Sequence, residues 1–222
     1  MGSVTIGARS ALGIGLTSLL LTAAGCDMFR PARPEPPASS DTIIPKYSFP
    51  DTTLETLGRG IQAKGLPGGV DAYIGGLADP TKDGQGFQAG FDPATVNRYT
   101  AGGGSVPTVW DLTLERNFYA KFATLPLAAN SVYQMEWIRD DPSGNDEYDD
   151  VAGTALLHRR YVVYAIFTDG TALDIADGFV DLDFIRTSPE RWVILRWKDR
   201  ENGAGDLNPE ALSFGQRRLE LR

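Results

Sequence analysis

A chain of 222 residues, 42% apolar and 23% charged, has room for one domain with a sizeable core plus short appendages. Its net charge of −8, unrelieved by any basic run, repels polyanions and excludes nucleic acid as a partner. A lone cysteine excludes an intrachain disulfide and, with a lone histidine, argues against a zinc site of the His/Cys type, so no metal and no cofactor is expected.

Residues 1–25 have the pattern of a signal peptide. Arg9 is their single charge, and Ala11 to Ala24 form an uncharged run. Those 14 residues would extend about 21 Å as a helix, short of the roughly 30 Å hydrocarbon layer, so export is favoured over a permanent span. The run ends in Ala23-Ala24-Gly25-Cys26. This resembles the bacterial lipobox, in which small residues precede a cysteine that is acylated and becomes the mature N-terminus. The resemblance implies lipidation of Cys26 and a membrane held through the lipid anchor, since each buried methylene contributes about 0.8 kcal/mol. The expected location is the cell envelope, on the inner membrane facing the periplasm or on the outer membrane and cell surface.

Residues 26–50 form a tether. Six prolines between Pro31 and Pro50 favour polyproline II or an extended coil over packing. The folded domain is expected over 51–200, opening on a Thr52–Glu55 capping box, and 201–222 reads as a polar C-terminal tail with a short final segment, SFGQRRLEL.

Within the domain, helices come first. Leu54, Leu57 and Ile61 make one apolar stripe over about 52–64, and Pro67 starts a second helix facing Val70, Tyr73, Ile74 and Leu77 inward. Asp92-Pro93 opens a short helix. Pro107 starts the longest one, with Trp110, Leu114, Phe118 and Phe122 at four-residue spacing. The glycine-rich stretch from Leu77 to Trp110 is expected to be an insertion or a mobile loop. Strands follow. Residues 131–139 and 153–168 alternate, Asp169-Gly170 marks a two-residue hairpin, the return strand covers about 171–186, and Trp192 to Trp197 form the last strand. Helices followed by four or more antiparallel strands predict an α+β domain.

This order, closing on RWVILRWKD, resembles the nuclear transport factor 2-like (SnoaL-like) fold, with Trp192, Ile194, Trp197 and Asp199 as the matching terminal pattern. The resemblance covers about 50–200. It implies a cone in which a curved sheet wraps N-terminal helices and leaves a pocket, used by some members for isomerisation or dehydration and by others only for binding.

If Thr168 faces Thr171, paired strand positions set His158 opposite Asp181 and Tyr161 opposite Gly178. Leu157, Val163, Ala176, Val180, Leu182 and Phe184 then share the core face, and His158, Arg160, Asp181 and Asp183 the outer one. His158 and Asp181 are the catalytic candidates, against the plainer reading of a cross-strand ion pair on a solvated face. Arg159 falls on the apolar face, either as an anion-binding pocket residue or as a stem that packs while its head reaches solvent. Tyr161 and Trp110 are candidate pocket linings or plain core. Arg159 and Asp174 are the only ionisable groups expected inside the cone. The acidic stretch Asp140-Asp141 to Asp150 reads as a solvated hairpin loop, since its spacing does not match a 12-residue calcium loop.

Three functions are compatible with these features. The favoured one is non-catalytic binding of a small ligand or an envelope protein by a membrane-anchored lipoprotein. The others are an isomerase or dehydratase using the conical pocket, and a homodimer through Val162, Tyr164 and Ile166 on the outer sheet face.

Overall fold

A computed structural model describes residues 43–64, 66–139, 144–200 and 211–222. The expected signal peptide, Cys26, most of the expected tether and the loop residues Asp140 to Ser143 lie outside them. No helix among the described residues is long and apolar enough to cross a membrane.

Helix α1 spans Pro50–Gln62. It starts earlier than the expected Thr52–Glu55 box because Pro50 fits the first turn, where its missing N–H costs nothing. Thr52 is then the third residue of the helix, and its hydroxyl accepts from the Phe49 N–H at 3.0 Å. Leu54, Leu57 and Ile61 are buried as the stripe requires, and the Thr53 hydroxyl donates to the Trp192 carbonyl at 2.9 Å, tying the helix to the sheet. Helix α2 (Pro67–Gly75) begins at its proline and buries Tyr73 and Ile74, with Leu77 buried just beyond its end.

The segment expected to be an insertion or loop is folded. It holds α3 (Pro80–Asp83), β1 (Gln88–Gly90) and α4 (Pro93–Ala101), the last capped by Asp92, whose carboxylate accepts from the Thr95 N–H at 2.8 Å. Trp110–Asp111 form β2, and α5 covers Leu112–Ala123. The helix expected from Pro107 therefore begins at Leu112. Asp111 stops it extending backwards by accepting from the N–H groups of Thr113 and Leu114 at 2.9 and 3.0 Å.

After a 3-10 turn at Pro126–Asn130 come β3 (Ser131–Ile138), β4 (Glu147–Asp149), β5 (Thr154–Phe167), β6 (Ala172–Ser188) and β7 (Arg191–Arg200). The fold is α+β: helices pack on a curved, mostly antiparallel sheet of seven strands in the order β2-β1-β7-β6-β5-β3, with β4 also on β5. One pair is parallel, β1 with β7. Two of the strands, β1 and β2, come from the segment that lacks an alternating pattern in the sequence, because they are only three and two residues long.

The β5–β6 hairpin reaches its expected pairing by two offsetting departures. The loop has three residues, since Phe167 donates to the Thr171 carbonyl at 2.9 Å, and Gly170 takes the positive φ of 81° that this turn needs. A bulge between Val163 and Tyr164 then leaves Ile175 as the extra residue on β6. Beyond it Val163 pairs with Ala176, Tyr161 with Gly178 and His158 with Asp181, as the alternation predicts. All six expected core residues of this hairpin are fully buried.

The chain ends in α6 (Phe214–Glu220), capped by Ser213 and Gln216, which bond reciprocally at 2.8 and 3.2 Å. The expectation of a polar tail is corrected for this part: Phe214, Arg218 and Leu219 are buried in the core. Strand β7 pairs with β6 only from Phe179 onward, so the edge of β6 before that point is free of a strand neighbour. The C-terminal segment takes that edge. Leu212 accepts from the Asp177 N–H at 3.1 Å, and Arg217 donates to the Ile175 carbonyl at 2.9 Å, at the bulge itself.

Candidate functional site

The space between the concave face of the sheet and the helices is filled. At its centre lies Arg218, with no solvent exposure. Its Nε and Nη2 donate to the two carboxylate oxygens of Glu115 at 2.8 and 2.9 Å, and its Nη1 donates to Asp199 at 3.0 Å. The Trp197 ring lies 4.7 Å from the guanidinium carbon, with Phe118 and Phe214 at 5.7 and 5.8 Å.

Each carboxylate is held by further donors. Tyr73 and Trp110 donate to Glu115 at 2.6 and 2.7 Å. Tyr161 and Trp197 donate to Asp199 at 2.8 and 3.1 Å, and the Tyr161 oxygen in turn accepts from the Phe214 N–H at 2.7 Å. The Phe214 ring stacks on Tyr161 at 4.9 Å. Burial pushes the Asp199 carboxyl above its ordinary value, against the pull of Arg218 and of the Trp197 and Tyr161 hydrogen bonds. Burial alone would lower the Arg218 guanidinium, but the charges of Glu115 and Asp199 outweigh it and raise it. The Tyr73 and Tyr161 phenols are pushed well up, first by burial and then by the adjacent carboxylates, and stay protonated.

The structure brings two sequence-derived candidates into this centre. Trp110 is buried from β2, not from a helix, and Tyr161 covers Gly178 so closely that a Cβ there would stand 2.4 Å from its oxygen. Neither faces an open cavity. The expectation that Arg159 and Asp174 supply the inner charges is corrected: Glu115, Asp199 and Arg218 do. The first two stand in apolar patterns. Glu115 shares the α5 stripe with Phe118, Tyr119 and Phe122, and Asp199 follows Trp197 on one face of β7. Arg218 stands one helical turn after Phe214. A charge set on an apolar stripe is the signal for Glu115 and Asp199; the seven-residue α6 carries no equally clear stripe for Arg218.

Arg159 is buried but fits neither expected role. Its Nη2 donates to Asp146 at 2.8 Å and to Asp51 at 3.2 Å, and its Nη1 to the His158 carbonyl at 2.8 Å. Its anions come from the chain itself, one before β4 and one in the first turn of α1. The solvated-loop reading of the acidic stretch is corrected at Asp146 for the same reason. Burial would raise the Asp146 carboxyl, but the hydrogen bonds and charge of Arg159 hold it below its usual range. Asp174 is half-buried opposite Tyr164.

His158 and Asp181 lie on the outer face, with Nδ1 2.8 Å from Oδ1, and the Arg200 Nε stands 3.0 Å from the same oxygen as an ion pair. Val162, one of the three apolar residues of the dimer reading, is buried within the protomer. Among the described residues no cluster of three His, Cys, Asp or Glu could hold a metal ion.

An open groove of about 470 Å³ lies between α4 and α6. Arg98, Tyr99, Gly104, Leu212, Gln216 and Leu219 are among its walls.

No family model matches the chain, and no curated protein matches it by sequence. Solved structures do. A protein of unknown function from Mycobacterium tuberculosis is 11% identical, over 77% of this chain and 82% of that one, with a TM-score of 0.46. A candidate scytalone dehydratase from Novosphingobium aromaticivorans is 10% identical over 73% and 88%, at 0.45. A candidate dehydratase of the NTF2-like family from Streptomyces avermitilis is 11% identical over 69% and 94%, also at 0.45.

Proposed function

We propose that this chain is a lipid-anchored protein of the bacterial cell envelope that binds a small ligand or a protein partner without transforming it. The closed cone carries this reading. An acid or base that catalyses must reach a substrate at about 3 Å, whereas Glu115, Asp199, Tyr73 and Tyr161 are engaged with one another or with Arg218. The groove along α4 and α6 is the binding surface in this reading: Tyr99 and Leu212 offer apolar contact, Arg98 and Gln216 polar contact. The anchor rests on the cysteine that ends the apolar run.

Hydrogen exchange on the full chain tests the closed cone. Amides of Phe214 to Leu221 are expected to be protected to the same degree as those of β5 and β6. Rapid exchange confined to α6 would mean a cone that opens readily, and would revive an isomerase- or dehydratase-type enzyme. The anchor is tested separately by detergent phase partition of the protein made in its native host. The wild type is expected in the detergent phase and Cys26→Ser in water; a wild type that stays in water with a free thiol refutes lipidation.

A further inference from the structure

We infer that the centre of the cone is a recognition site for a guanidinium group, occupied here by the chain's own Arg218 as a tethered ligand.

The walls of this site do not come from the helix that fills it. Glu115 stands on α5 and Asp199 on β7, and the four donors that orient them, Tyr73, Trp110, Tyr161 and Trp197, stand on α2, β2, β5 and β7. From α6 come the guanidinium itself and the Phe214 ring beside it. The carboxylates are thus held in place by groups that remain when Arg218 is taken away, which is the arrangement of a preorganised site.

The geometry selects a planar cation. Three different nitrogens of Arg218 each meet a carboxylate oxygen, two of them as a fork on Glu115. An ammonium is a point charge and cannot reproduce that plane. The Trp197 ring at 4.7 Å favours the same shape, because a flat cation stacks on an aromatic ring. Stability alone gives a weak reason for such a centre, since well-packed apolar residues commonly serve a core as well as a buried ion pair does. In the wild type an external guanidinium compound has to displace Arg218, so its apparent affinity falls with the fraction of molecules in which α6 has withdrawn.

The experiment uses the full chain with Arg218→Ala, and N-ethylguanidinium as the probe. Thermal unfolding is followed with probe, with ethylammonium and with sodium chloride at equal ionic strength. The expected result is a saturable rise in Tm with the guanidinium, half-complete at a concentration on the order of millimolar, together with a change in tryptophan emission. The wild type, already filled, is expected to show neither at that concentration. Absence of a saturable rise, or an equal rise with ethylammonium, overturns the proposal. Should Arg218→Ala not fold unaided, the Asp199→Asn/Arg218→Ala variant leaves one uncompensated carboxylate instead of two and keeps the Glu115 fork. Recovery of folded protein on refolding with the probe but not with ethylammonium then supports the site, and failure with both refutes it. The outcome is independent of phase partition and of exchange at α6, so this inference and the envelope reading fail separately.

Discussion

Glu115 stands where the α5 stripe would place a leucine, and its neighbours explain why it is tolerated. Arg218, Tyr73 and Trp110 satisfy both of its oxygens. Glu115→Gln keeps the shape but removes the charge facing Arg218, leaving Asp199 as the guanidinium's remaining carboxylate. A loss of about 3–5 kcal/mol is expected from urea unfolding, the usual cost of breaking a buried pair on one side. Gly178→Ala acts through shape alone: its methyl group would meet the Tyr161 oxygen at 2.4 Å, and displacing that phenol disturbs Asp199 and Phe214 together. A cost of roughly 1–3 kcal/mol is expected, typical of overpacking. At this scale the sequence makes the Tyr161–Gly178 and His158–Asp181 pairings legible, because strand alternation is local. The partners of Arg159 are not legible, because Asp51 lies 108 residues away.

Among the elements, the β5–β6 hairpin and α6 depend on one another. The bulge at Ile175 lies on the stretch of β6 that β7 does not cover, and the C-terminal segment bonds there. Phe214→Ala removes the ring that stacks on Tyr161 and packs on Phe118, Phe122 and Trp197, so a loss of about 3–5 kcal/mol is expected in denaturant unfolding. A loss below about 1 kcal/mol, the scale of a surface substitution, would show that α6 is not part of the core. The serine cap and the turn-spaced Phe214 and Arg218 make this helix visible in the sequence as a short final segment. Its destination is not, since seven residues are too few to carry a clear amphipathic pattern. The same brevity hides β1 and β2.

Over the whole molecule the charges divide by the sign of their pH dependence. Asp83 and Asp146 are held below the ordinary carboxylate value of 3.8 because Arg191 and Arg159 outweigh their burial. The stability they contribute is present above 3.8 and is lost as pH falls through their folded values. The Asp199 carboxyl is raised by burial, so its contribution has the opposite sign. Its penalty is complete above its folded value and shrinks as pH falls toward 3.8. Urea midpoints measured from about pH 2 to about pH 7 are expected to show an acid limb that Asp146→Asn flattens. Asp199→Asn is expected to leave that limb in place and remove the decline on its alkaline side.

The sequence by itself determines where most of the helices and the long strands lie, which face of each strand turns inward, and that a lone cysteine ends an apolar run. These properties depend on neighbours a few residues apart, through helical and strand periods. Only the tertiary structure decides that the cone is full, that Arg159 is matched by two carboxylates, and that a terminal helix supplies the central cation. Whether a charge is buried, exposed or paired depends on which groups meet it, and Glu115 and Arg218 meet across 103 residues of chain. No local period encodes such a contact.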